Sequence, residues 1–224
     1  MNFLKYKFLY DFIPSLKDVI ESKKLSFSQR RSLKIISKYY KSNSLKDFNK
    51  NILRKKIKLQ KANISIAKLK KKSLYLNKKV LNSCEFKAAR SVFCYISFGD
   101  EIDTFKILES CLKNSKILSV PVIKAKRIIE AAIINNLDNL VKNKYGILEP
   151  VSYRAMDKKD IDLVIVPAMG YNTLGYRIGY GGGYYDFFLK DFNGFSIGMV
   201  LKEFLIPGLI PGYFDIPVKK LFIL

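Results

Sequence analysis

The twelve residues GYRIGYGGGYYD, 175–186, hold five glycines, four tyrosines, one arginine and one aspartate. Bare backbone at this density lets amide N–H groups approach an anion closely, and a helix starting behind it adds partial positive charge. Arg177 can give a phosphate a charge-assisted hydrogen bond. Asp186 is the kind of lone carboxylate that holds Mg2+ against nucleotide phosphates. Neither familiar phosphate pattern is met. Gly179-x-Gly181-x-x is followed by Tyr184, where the dinucleotide fingerprint has its third glycine, and no Gly-Lys-Ser/Thr is present. Taken alone, these residues allow two readings: a phosphate cradle, or a glycine-rich turn capped by Asp186 with its tyrosines packed as core.

The 224-residue chain contains no histidine. That removes the usual general base and any Ser-His or Cys-His nucleophile. Chemistry here rests on carboxylates, Lys, Arg, Tyr, backbone amides or a bound cation. The three cysteines, Cys84, Cys94 and Cys111, form no CxxC pair, which argues against a zinc site or disulfide framework and for a reducing cytoplasmic setting. The longest apolar run, around 163–168, is far short of a membrane span, and Asp11 and Pro14 interrupt any secretory signal. The net charge of +22 is uneven: residues 1–90 carry +20 and residues 91–224 carry +2. A segment that basic attracts nucleic acid, anionic membrane or phosphate ligands, or is a lysine-biased solvated face.

Residues this far apart need a scaffold that converges them. Leu45, Phe48, Ile52, Leu53 and Ile57 recur every three or four positions, predicting basic helices over 45–83 with a break at 63–65. Residues 1–40 read as a helical appendage, with Ser42, Asn43 and Ser44 as a break or cap after it. Strands are expected at 91–97, 117–120, 128–134, 162–166, 195–200 and 220–224. Helices are expected at 104–113 and 184–190, a short helix or turn at 138–142, and a loop at 145–150. Apolar strands alternating with helices predict an α/β fold: a three-layer αβα, Rossmann-like arrangement with a mostly parallel sheet. The expected division is a helical extension over 1–40 and a single α/β domain over 41–224.

VPAMGYNTLGYRIGYGGGYYDFFL (166–189) closely resembles the signature of the 5-formyltetrahydrofolate cyclo-ligases, also called methenyltetrahydrofolate synthetases. That signature is a strand ending in Val-Pro or a similar pair, a short loop, then Gly-x-Arg-Leu-Gly-x-Gly-x-Gly-Tyr-Tyr-Asp. KNILRKK (50–56), YISFGDEIDT (95–104), YGILEP (145–150) and DIPV (215–218) resemble further segments, in the family's order, so the likeness covers about 45–218. The family closes 5-formyltetrahydrofolate to 5,10-methenyltetrahydrofolate with ATP and Mg2+. The formyl oxygen attacks the γ-phosphate, N10 attacks the activated carbon, and phosphate leaves. Such phosphoryl transfer needs positioning and charge neutralisation more than covalent catalysis, which suits a histidine-free chain.

The resemblance implies that Lys50 and Arg54 bind nucleotide, and their i, i+4 spacing puts both on one helix face. It implies an ATP loop of Arg177, Gly179, Tyr180, Gly181, Gly182, Gly183, Tyr184 and Tyr185. Lys50, Arg177 and Asp186 would be catalytic, with Asp186 and Asp215 holding Mg2+. Ile96, Glu101, Tyr145 and Tyr184 would contact the folate: a carboxylate can accept paired pterin N–H bonds, and an aromatic can stack on the ring. The implied state is a monomer acting on small molecules, with no nucleic-acid partner. The chain departs from the pattern in its extra residues 1–40, in Lys219 where an acid is common, in Asn172 where Asp is frequent, and at Phe187. A rival of another class is a basic nucleic-acid- or ribosome-associated binding protein working through residues 1–90. Such binding has no need of the Arg177–Asp186 pattern together with Glu101 and Asp215.

Overall fold

The computed structural model describes residues 43–143 and 146–224. The chain divides into two compact units, 1–49 and 50–224. The expected helical extension over 1–40 and the pterin-stacking Tyr145 lie outside the described residues. Helix α1 (Asn43–Ala62) begins within the break expected at 42–44. It stops before the break expected at 63–65, and α2 (Ile66–Leu81) follows. The Ser65 side chain caps α2 by accepting the Lys68 N–H at 3.3 Å. α2 buries Ser73, Leu76, Asn77 and Val80, the three-to-four spacing of one helix face.

After a short α3 (Cys84–Ala88) the sheet begins. Its strands are β1 (Ser91–Cys94), β2 (Ile117–Ala125), β3 (Ile128–Ile134), β6 (Arg154–Met156), β7 (Leu163–Val166), β10 (Phe195–Val200) and β11 (Lys220–Ile223). Their order is β11-β10-β7-β1-β2-β3-β6. The first five run parallel, while β3 and β6 add an antiparallel edge. The mostly parallel α/β expectation therefore holds. β1 and β7 are buried at every position, as strands covered on both faces must be. Side chains alternate across a strand, and β1 displays both covers. Phe93 meets Phe188 of α5 (Tyr184–Leu189) at 4.6 Å between ring centroids. Cys94, one residue on, lies near Cys111 of α4 (Phe105–Lys113).

Several stretches differ from expectation. The 138–142 segment contains strand β4 (Leu140–Lys142), paired antiparallel with β5 (Leu148–Pro150) in the expected loop. Runs of three residues are too short for a periodicity to distinguish strand from turn. β1 leaves the ladder at Cys94 rather than 97. β2 continues through Pro121 to Ala125, because its ladder with β1 ends at Ser119 and beyond that only β3 requires pairing. β8 (Gly170–Tyr171) and β9 (Arg177–Ile178) form a small hairpin inside the glycine-rich connection.

The strand order identifies where a ligand fits. From β1 the chain steps outward to β2, then returns to β1's other side with β7 and proceeds to β10 and β11. In open α/β sheets the crevice at such a reversal, outside the carboxyl ends of the strands, receives ligands. The connection after β1 carries Ile96 and Glu101, that after β7 carries residues 175–186, and that after β10 carries Asp215.

Candidate active site

The hairpin β8–β9 presents Arg177. Its turn is held by Asn172, whose Oδ1 accepts the N–H groups of Leu174 and Tyr176, both at 3.0 Å. Gly175 has φ +83°, and its carbonyl accepts the Val218 N–H at 3.0 Å, tying the turn to the C-terminal connection. Arg177 is only 6 % exposed. It donates from Nη1 to the Ile216 carbonyl and from Nη2 to Asp186 Oδ1, each at 2.7 Å. Asp186, in the first turn of α5, also receives the Ile216 N–H on Oδ1 at 3.1 Å. Burial pushes the Asp186 carboxyl above its usual range despite the neighbouring Arg177 charge, and nearby Asp215 adds to that push.

From α1, Lys50 Nζ donates to both carboxylate oxygens of Asp215, at 2.6 and 2.5 Å. The Gly212 N–H donates to Asp215 Oδ2 at 2.5 Å. Arg54, one turn on, gives its Nε–H to the Gly179 carbonyl at 2.8 Å, and Asn51 steadies its Nη1 at 2.8 Å. Gly181 and Gly183 both hold positive φ, +106° and +70°, as a chain turning into a helix over bare backbone requires. The structure thus brings Lys50, Arg54, Arg177, Asp186, Asp215 and the glycines together. Tyr184 is half-buried, its ring against Gly182, and the Tyr185 ring stacks near Phe93 at 6.3 Å. The Tyr185 hydroxyl is buried with no hydrogen-bond partner among the described residues, and burial pushes its pKa well up.

Glu101 joins this cluster through Tyr180. The Tyr180 hydroxyl sits beside the carboxylates of Glu101 and Asp100, and desolvation followed by those charges pushes its pKa well up. Burial likewise pushes the Glu101 carboxyl above its usual range, opposed by the Phe98 N–H that it accepts at 3.0 Å and by the Lys61 charge. Ile96 is buried in the core cluster rather than among these polar groups.

Sequence reasoning missed Lys61, which is 8 % exposed and donates to the Asp100 carbonyl at 2.8 Å. Burial lowers its pKa. The signal was present: Lys50, Arg54, Ile57 and Lys61 lie within one narrow arc of an α-helix at 3.6 residues per turn. It also missed Arg127, in the β2–β3 turn, for which the local sequence offers no cue.

Two carboxylates, Asp186 and Asp215, are the acidic donors beside the glycine loop, and no cluster of three acidic or sulfur ligands exists among the described residues. That set suits Mg2+, which typically takes one or two carboxylates and completes its shell with water and substrate phosphates.

The profile of the 5-formyltetrahydrofolate cyclo-ligase family matches residues 46–211. The chain is 36 % identical over 135 residues to the mitochondrial 5-formyltetrahydrofolate cyclo-ligase of Arabidopsis thaliana, covering 53 % of this chain and about half, 49 %, of the plant protein's length. It is 24 % identical over 182 residues to the mouse 5-formyltetrahydrofolate cyclo-ligase, covering 75 % of this chain and 90 % of the mouse protein. Among solved structures, the Aquifex aeolicus 5,10-methenyltetrahydrofolate synthetase aligns with TM-score 0.70 and 29 % identity, over 78 % of this chain and 89 % of that one. The Mycoplasma pneumoniae 5,10-methenyltetrahydrofolate synthetase shares the fold, with TM-score 0.63 at 19 % identity over 77 % of this chain and 97 % of that one.

Proposed function

Because the chain belongs to the 5-formyltetrahydrofolate cyclo-ligase family, we propose that it closes 5-formyltetrahydrofolate to 5,10-methenyltetrahydrofolate, releasing ADP and phosphate from ATP. The observation that carries this reading is the convergence of Lys50–Asp215, Arg54, Arg177–Asp186 and Glu101 around one glycine loop at the sheet's reversal. The glycines offer backbone N–H groups to the polyphosphate. Lys50 leaves Asp215 for a phosphate oxygen when nucleotide enters, and Arg54 lies one turn away on the same face. Arg177, with its guanidinium committed to Ile216 and Asp186, holds the Asp186 carboxylate in place. Asp186 and Asp215 would hold Mg2+, which would supply charge neutralisation for the transferring phosphoryl group.

In the first step the formyl oxygen bonds to the γ-phosphorus as the bond to ADP breaks, giving an iminophosphate. In the second, N10 bonds to the activated carbon, loses its proton, and the C–O bond to phosphate breaks. Glu101 accepts pterin N–H bonds, and Ile96 and Tyr184 contact the folate; the family resemblance gives Tyr145, outside the described residues, the same role. The unpartnered Tyr185 hydroxyl supports a polar ligand completing this pocket. The protein acts as a cytoplasmic monomer. Its three cysteines are free thiols, which supports a reducing compartment, and no helix among the described residues is long and apolar enough to cross a membrane.

Mixing the chain with 5-formyltetrahydrofolate, ATP and Mg2+ should raise absorbance in the methenyl band with one ADP per product, and Lys50→Ala should lower kcat/KM for ATP by about 10- to 100-fold. The absence of any ATP-dependent rise would overturn the reading.

A further inference from the structure

The glycine loop is bracketed by two guanidinium groups, and only one comes from α1. A Cβ placed on Gly181 would lie 3.6 Å from Arg54 Cζ. A Cβ placed on Gly183 would lie 3.5 Å from Arg127 Nε and 3.9 Å from Arg127 Cδ. Both glycines therefore lie directly against an arginine side chain, in ordinary contact range. Arg127 arrives from the opposite side of the sequence, at the tip of the β2–β3 hairpin where Ala125 pairs with Ile128.

Two further observations set Arg127 apart. Its φ is +65°, a conformation that non-glycine residues with long side chains seldom adopt. Backbone strain of this kind persists where the surroundings or a function hold it. Its guanidinium is also uncommitted: no side-chain hydrogen bond or ion pair engages it among the described residues. Arg177, by contrast, spends its guanidinium on Asp186 and Ile216, and Arg54 gives donors to Gly179 and Asn51. An unpaired guanidinium laid over bare, N–H-rich backbone leaves positive potential that no protein carboxylate answers, and the fork of a guanidinium matches phosphate.

We propose that Arg127 is a phosphate-binding residue for the nucleotide, closing the glycine loop from the hairpin side while Arg54 closes it from α1. The inference rests on the ATP reading of this loop. It assigns the β2–β3 hairpin a part in holding the polyphosphate that the 175–186 stretch alone does not suggest.

The test uses the full chain and three variants: Arg127→Ala, Arg127→Lys and Arg127→Gly. ATP and inorganic tripolyphosphate are titrated calorimetrically, and melting temperature and both KM values are recorded. Arg127→Ala should weaken both anions about tenfold or more, the size of a lost charge-assisted contact. It should raise KM for ATP with little change in KM for the folate. Arg127→Lys should recover part of the affinity. Arg127→Gly should bind as poorly as the alanine variant yet melt no lower than the unaltered chain, since glycine adopts φ +65° freely. Unchanged anion affinity in Arg127→Ala overturns the inference, as does recovery of both affinity and melting temperature in Arg127→Gly, which would mark a purely structural role. If the unaltered chain binds ATP without cyclising the folate, the reaction assignment fails while the Arg127 contact is still judged by the titrations. If it binds neither anion, both fall.

Discussion

At the level of single residues, the site is a set of charges held by short, mutual contacts. Lys50 donates to both carboxylate oxygens of Asp215, and Arg177 donates to Asp186. The Glu101 carboxyl behaves differently from a surface acid. Glu101 is raised above its usual range by burial, so in the folded chain it holds its proton to higher pH than in the unfolded chain. Stability rises with pH only where the unfolded state binds more protons. Here the folded state binds more between the ordinary carboxylate range and the raised value, so Glu101 lowers stability as pH climbs through that window. Glu101→Gln should therefore melt higher than the unaltered chain at pH 7. The advantage should vanish as pH falls below about 4, where Glu101 is protonated in both states. Thermal melts across pH check this, and a variant equal to the unaltered chain at pH 7 would contradict the burial cause. Lys50, Arg54, Glu101 and Asp215 were legible in the sequence because the segments around them resemble those of the family, and Asp186 also because it closes the glycine run. Lys61 was not singled out although it shares the helix arc of Lys50, Arg54 and Ile57, and Arg127 was not, since an isolated basic residue in a turn carries no mark of its strain.

At the level of elements, helix α1 and the glycine connection do the positioning. One face of α1 carries Lys50, Arg54, Ile57 and Lys61, so a single helix reaches both the glycine loop and the loop of Glu101. The glycine connection is pinned at Gly175, where φ is +83° and an added Cβ would lie 2.6 Å from the Val218 carbonyl oxygen. Gly175→Ala should cost about 1–3 kcal/mol, lowering the melting temperature by roughly 5 °C. It should also raise KM for ATP, because the same contact aligns Arg177 with Ile216 and Asp186. Calorimetric melts and initial rates measure both. Long periodic helices and fully apolar strands such as β7 and β10 were readable beforehand. The short strands β4, β5, β6, β8 and β9 were not, because two or three residues carry no period and form only against a partner brought near by the fold.

For the molecule as a whole, the sheet's reversal between β2 and β7 on either side of β1 makes one crevice out of connections that are far apart along the chain. Every site residue placed in the structure lies at or beyond Lys50, and the family match begins at 46. A chain starting at residue 43 should therefore keep kcat and both KM values within about twofold, well inside the loss expected from removing one site contact. The same truncation should weaken RNA binding at low salt in proportion to the basic residues removed, since phosphate contacts dominate such binding. Steady-state rates and filter binding separate the two effects. A truncated chain that loses cyclisation while remaining folded would assign residues 1–42 a part in catalysis.

By itself the sequence determined the α/β class, the long helices and apolar strands, the glycine loop and most of the charged residues around it. The elements and the glycine loop follow from local periodicity, side-chain chemistry and spacing, which are properties of neighbours in sequence, whereas the charged residues distant from the loop were picked out by the family resemblance of the segments that carry them. Only the tertiary structure decided that Lys50 meets Asp215 across 165 positions, that Arg177 is committed to Asp186, and that Arg127 lies over Gly183. Those contacts depend on strand order and on burial, which lower the dielectric and join segments that no local pattern relates.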